Sequence, residues 1–132
     1  SHTPDRKDLA APMYRNAARL AARQLSVNPS NADTLAALGH YHAGLGERER
    51  ALDYTRRAVD AAPGDMYVHY FAALTLSQLG MEANAIDALQ RALDSGYPAG
   101  LIAVDAGFDS LAGSELFRSL LSDADAEPTT DE

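Results

Sequence analysis

The chain has 132 residues, with 11 basic and 19 acidic side chains and a formal net charge of −8. It contains no cysteine, which excludes disulfides, thiol nucleophiles and metal sites built on thiolates. No apolar run approaches the roughly 18 residues of a membrane helix, and the acidic balance argues against nucleic acid or an anionic membrane as partner. The length fits one domain or a short array of repeats. Residues 1–65 carry 9 basic and 8 acidic side chains, whereas residues 66–132 carry 2 and 11. Alanine makes up about a fifth of the chain and valine and isoleucine are scarce. That composition favours helix and leaves little material for strands, so the predicted class is all-α.

Residues 1–11 read as a flexible terminus, in which Ser1-His2 resembles a cleavage scar. A helix is predicted over Pro12–Val27, closed by Asn28-Pro29. Along it Arg15, Arg19 and Arg23 recur every four residues and form one basic stripe. The stripe is either a solvated face or a contact for acids in a partner, a second copy or this chain's own acidic half. The next helix follows Asn31, a plausible N-cap, with Leu35, Leu38, His42 and Leu45 in one stripe. Gly44 and Gly46 end it. A further helix places Ala51, Leu52, Thr55, Ala58, Val59 and Ala62 on its inner face, and Pro63-Gly64 stops it. The plan then repeats. Val68, Ala72, Leu76 and Leu79 form one stripe, and Ala85, Ile86, Leu89, Ala92 and Leu93 form the next, ended by Ser95-Gly96-Tyr97-Pro98.

The repeat is visible by sliding the sequence against itself by 34 residues. Leu45-Gly46 falls on Leu79-Gly80, Ala51 on Ala85, Asp53 on Asp87, Arg57 on Arg91, Ala58 on Ala92 and Asp60 on Asp94. Unrelated sequence would give about one identity in such a window. The alanines let paired helices approach closely, and a larger side chain there would cost roughly 1–3 kcal/mol.

These residues resemble the tetratricopeptide repeat family, with its 34-residue period, first-helix Leu-Gly, turn Gly, second-helix alanines and terminal Pro. Leu38-Gly39, Gly46, Ala51, Ala58 and Pro63 match in one copy. Ala72-Ala73, Gly80, Ala85 and Ala92 match in the other, with Pro98 one residue late. The family's first-helix aromatic is replaced by Leu35 and His69. The helix at 12–27 resembles the second helix of a preceding unit. The resemblance implies a right-handed superhelix of stacked antiparallel helical hairpins, about six or seven helices in all. Repeats are then expected at 32–65 and 66–98. A cap is expected at 99–122, comprising a short helix over Ala99–Val104 and a final helix from about Ser114. A disordered acidic tail is expected at 123–132.

Catalytic signals are absent: no nucleophile elbow, phosphate loop or metalloprotease helix motif occurs. His40 and His42 are two apart and point to different faces of a helix, so no metal site or cofactor is expected. Glu47, Arg48, Glu49 and Arg50 read as a solvated turn and helix start. By the resemblance, groove-facing positions fall on Asp33, Ala36, His40 and Ala43 in one repeat. In the next they fall on Tyr67, Tyr70, Leu74, Ser77 and Gln78. Tyr67, Tyr70, Phe71 and Leu74 share a face offset from the core stripe of their helix. They are either an aromatic patch in the concave groove or a contact with the neighbouring repeat or cap. Chaperone-binding members of the family clamp a carboxylate with Lys and Asn, where Ala36 and His40 stand here. An apolar or aromatic peptide therefore fits better than a chaperone tail. The expected function is a non-catalytic scaffold or adaptor module that binds a protein or peptide. It would act in the cytoplasm as the C-terminal part of a larger bacterial signalling or assembly protein. The alternative is self-association as a dimer, the basic stripe meeting acidic surfaces of a second copy.

Overall fold

A computed structural model describes residues 6–126. The described residues form seven α-helices and one 3-10 turn, with no strand among them. The helices are α1 (Arg6–Val27), α2 (Ala32–Gly44), α3 (Arg48–Ala61), α4 (Met66–Gln78), α5 (Glu82–Asp94), α6 (Ala99–Ala103) and α7 (Glu115–Ala126), with the 3-10 turn at Ala106–Leu111 between the last two. α2 packs on α3 and α4 on α5, as two hairpins. α1 lies on α2, and α2 lies beside α4. The architecture is an all-α helical repeat.

The 34-residue period is written in the caps. Asn31 Oδ1 accepts from the Thr34 amide at 3.0 Å to start α2. Asp65, one period later, accepts from the amides of Tyr67 at 2.8 Å and Val68 at 3.3 Å to start α4. These side chains satisfy donors that a helix start leaves open. At the other end Gly46 and Gly80 adopt φ of +76° and +78°. That left-handed residue lets Glu47 N–H reach back to the His42 carbonyl and Met81 N–H to the Leu76 carbonyl, both at 2.9 Å. The pattern closes the helix with two satisfied carbonyls. Gly44, by contrast, is helical, and the Tyr14 ring lies where its Cβ would be.

Buried histidines join the same turns. His42 Nδ1 donates to the Glu47 carboxylate at 2.6 Å, and its ring stacks on Tyr54. His69 Nε2 donates to the Pro63 carbonyl at 2.5 Å. The core divides into linked clusters. Leu35, Ala36 and Ala58 of the first repeat pack with Val68 of α4, and Ala18, Ala21 and Leu38 join α1 to the first repeat. The second repeat and the cap share one core, including Ile86, Leu89, Ile102, Phe108, Leu111 and Phe117.

Two helix boundaries and one element differ from the sequence reading. The first helix begins at Arg6, not Pro12. Proline removes one ladder hydrogen bond, but the run of alanines around it carries the helix through. The final helix continues to Ala126, past the point where an unstructured tail was expected; residues 127–132 lie outside the described part. The 3-10 turn at Ala106–Leu111 has no counterpart in the helical periodicity of the sequence. It begins at Asp105, whose carboxylate accepts from the Gly107 amide at 2.8 Å.

Candidate protein-binding face

The first helices of the two repeats, α2 and α4, lie side by side, and the predicted groove residues all fall on them. The structure does not bring those nine residues to one open surface. Asp33 is exposed in the first turn of α2, beside Asp65. Partial burial, and then the charge and hydrogen bond of Asp65, raise its pKa. Ala36 and Ala43 are buried. Ala36 belongs to the first-repeat core, against which Phe71 packs. Small residues in a groove position can thus be covered by their larger neighbours.

His40 is half-buried. Its ring stands edge-on to Tyr14 at 5.9 Å and lies 6.1 Å from Phe71. Its Nδ1 is buried without a hydrogen-bond partner. Burial lowers its pKa, and the charge of Asp105 opposes that shift.

The aromatic set on α4 splits. Tyr67 is 53% exposed and meets Tyr97 edge-on. Tyr70 donates its hydroxyl to Asp105 Oδ2 at 2.5 Å. Its ring stacks on Tyr97, with centroids 4.7 Å apart and planes 7° from parallel, and stands edge-on to Phe108. Burial, followed by the bond to Asp105, raises the Tyr70 pKa strongly. Leu74 presses on Gly107, where any Cβ would stand 2.5 Å from Leu74 Cδ2. Ser77 is buried, with its Oγ 3.2 Å from that of Ser110. Thus Tyr70, Leu74 and Ser77 serve the cap. Of the two explanations for the offset aromatic face, cap contact accounts for Tyr70 and Leu74. Tyr67 and Gln78 stay exposed, and Gln78 Nε2 lies 3.4 Å from the Tyr14 hydroxyl.

Sequence reasoning missed Tyr14, Tyr97 and Asp105. Tyr14 lies opposite the arginine stripe on α1, a position periodicity assigns to the core. Asp105-Ala106-Gly107 carries the signature of an Asx turn, which marks a bend but not its neighbour. Where α1 passes the ends of α2 and α4, a cleft of about 820 Å³ opens, lined by Tyr14, Arg15, Arg48 and Gln78 among others. Arg15, Arg19 and Arg23 are exposed on α1.

Residues 32–65 and 67–95 each match the tetratricopeptide repeat model. The chain carries two tetratricopeptide repeats. It is similar to a protein CTR9 homolog of Arabidopsis thaliana, 49% identical over 41 residues that cover 31% of this chain and 4% of that protein. It is also similar to cellulose synthase operon protein C of Komagataeibacter xylinus, 30% identical over 115 residues, 76% of this chain and 9% of that protein. The chain therefore spans a small part of the length of the curated relatives it matches. No solved structure matches it significantly. Repeats of this kind mediate protein–protein interaction. No helix among the described residues is long and apolar enough to cross a membrane.

Proposed function

We propose that this chain is a non-catalytic interaction module that holds a protein or peptide segment against the first helices of its repeats. The observation that carries the reading is the face left open on α2 and α4 beside the cap. Asp33, His40, Tyr67 and Gln78 border it, with Tyr14 at one edge. Tyrosine offers large contact area with a polar tip at low entropic cost. Asp33 and Asp65 pair at the starts of α2 and α4, and Asp65 stands two residues before Tyr67. A ligand with an aromatic or aliphatic anchor and a nearby cation matches that chemistry. Ala36, Ala43, Tyr70, Leu74 and Ser77 act in this reading as the supporting wall, not as contacts. In a larger scaffold or assembly protein such a module would recruit a partner without acting on it.

The test is selection of peptides against the wild-type protein from a random display library. Affinities are then remeasured against Tyr67→Ala combined with Gln78→Ala. Both positions are exposed, so the fold should persist and circular dichroism checks it. A tenfold or greater loss is expected. Unchanged affinity in the folded variant would move the site off this face.

A further inference from the structure

We propose that the outer face of α1 is a second docking surface, which receives an acidic amphipathic helix from a partner protein. α1 is apolar on two opposite sides. Ala18, Ala21 and Leu25 face the first repeat. Leu9, Met13, Leu20 and Val27 are exposed, from 50% at Leu20 to 86% at Val27. At 100° per residue these four lie within about 40° of one another. The stripe from Leu9 to Val27 runs roughly 27 Å along the axis. Four of the eight large exposed hydrophobics of the described chain stand on this one line. Such a straight apolar stripe fits another helix, packed ridge into groove.

The charges select the partner. Arg15, Arg19 and Arg23 follow one flank of the stripe, about 40–120° round the helix. No ion pair forms at any of the three among the described residues. Arg19 instead bonds the Asn16 side chain. Arg15 and Arg19 also line a cleft of about 530 Å³ with Arg50, His42 and Tyr54. The carboxylate within it, Glu47, is held by His42. The arginine rail therefore continues from α1 onto α3 and is free to take acids aligned along one side of a docked helix.

A second copy does not offer that shape. α1 itself carries one acid, Asp8. The acidic helix α5 exposes no large hydrophobic residue, and α7 exposes Leu116 alone. A bilayer fits poorly too. The basic flank lies on one side and turns into a cleft that a flat surface does not enter, whereas interfacial helices spread cations around a broad polar face.

The probe is a synthetic 20-residue helix with leucine on one face and glutamate along its flank, labelled with fluorescein. Its isomer carries lysine for each glutamate. Saturable binding of the acidic probe is expected, weakened at least tenfold by Leu20→Asp and by Arg19→Glu with Arg23→Glu. Binding should also weaken as salt rises. All of these side chains are exposed, and circular dichroism confirms that the variants fold. Equal binding of the lysine isomer, or binding unchanged in both variants, overturns the proposal. So does assembly of the protein alone that Leu20→Asp abolishes in light scattering, since a second copy would then own the face. Capture by phosphatidylserine vesicles without capture of the acidic probe overturns it in favour of a membrane.

Discussion

Gly39 sits where α2 crosses α3. A Cβ there would stand 2.5 Å from Thr55 Oγ1 and 3.2 Å from the Ala51 carbonyl oxygen. Gly39→Ala should therefore destabilise the protein by about 1–3 kcal/mol. A Cβ added at Gly64 would meet nothing within 4 Å, and its φ is not positive, so Gly64→Ala should be neutral or stabilising. Urea midpoints measured on both variants test the contrast. Thr75 points the other way. It is fully buried, and its hydroxyl has no hydrogen-bond partner. Removing an unpaired buried hydroxyl with little change of shape should raise stability, so Thr75→Val is expected to gain about 1 kcal/mol in the same assay. His40 gives a pH dependence. Burial lowers its folded pKa below the ordinary value. The unfolded chain then binds the proton first, and stability is lost as pH falls through about 6.5. Melting temperature should fall from pH 7 to pH 5 more steeply in wild type than in His40→Phe, and equal slopes would sink the account. Asp33, raised instead, acts with the opposite sign at lower pH.

At the scale of elements, the 3-10 turn decides how much of the second repeat's face is open. It is fastened to α4 by the Tyr70–Asp105 hydrogen bond, by Leu74 against Gly107 and by the Ser77–Ser110 pair. Asp105 holds both ends of this clasp, since its other oxygen accepts the Gly107 amide. Tyr70→Phe keeps the ring stack and removes the donor. It should cost about 1–2 kcal/mol, because hydrogen bonds to a charged acceptor exceed neutral ones and this one is only half-buried. Tyr67→Phe, on the exposed side of the same helix, should stay within about 0.5 kcal/mol. Thermal melts of the pair check whether the clasp or merely the aromatic cluster matters.

Across the whole molecule, the core is continuous but unequal. The second repeat and cap share the largest cluster, with Phe108 1% exposed inside it. Phe108→Ala should cost about 3–5 kcal/mol in equilibrium unfolding. α1 packs chiefly on α2 through small residues. In a solenoid each unit is stabilised by its neighbours, so α1, with one flank covered, should exchange its amides earlier than α4. Hydrogen exchange resolved by helix measures this order, and a simultaneous exchange of both helices would show stronger coupling than the packing implies.

Sequence alone determined the local features: helices, a 34-residue period, Asn31 as a cap, and the glycine turns at Gly46 and Gly80. Each depends on interactions within a few residues, which residue type and spacing report directly. Sequence also showed that α4 is apolar on two sides. It did not show that Tyr70 belongs to the cap, because its partner Asp105 lies 35 residues onward in a segment without periodicity. Nor could it distinguish Tyr67 from Tyr70, three residues apart on the same face. The tertiary structure decided that, because burial depends on which distant segment folds back over a face and hydrophobic pattern records only that something can.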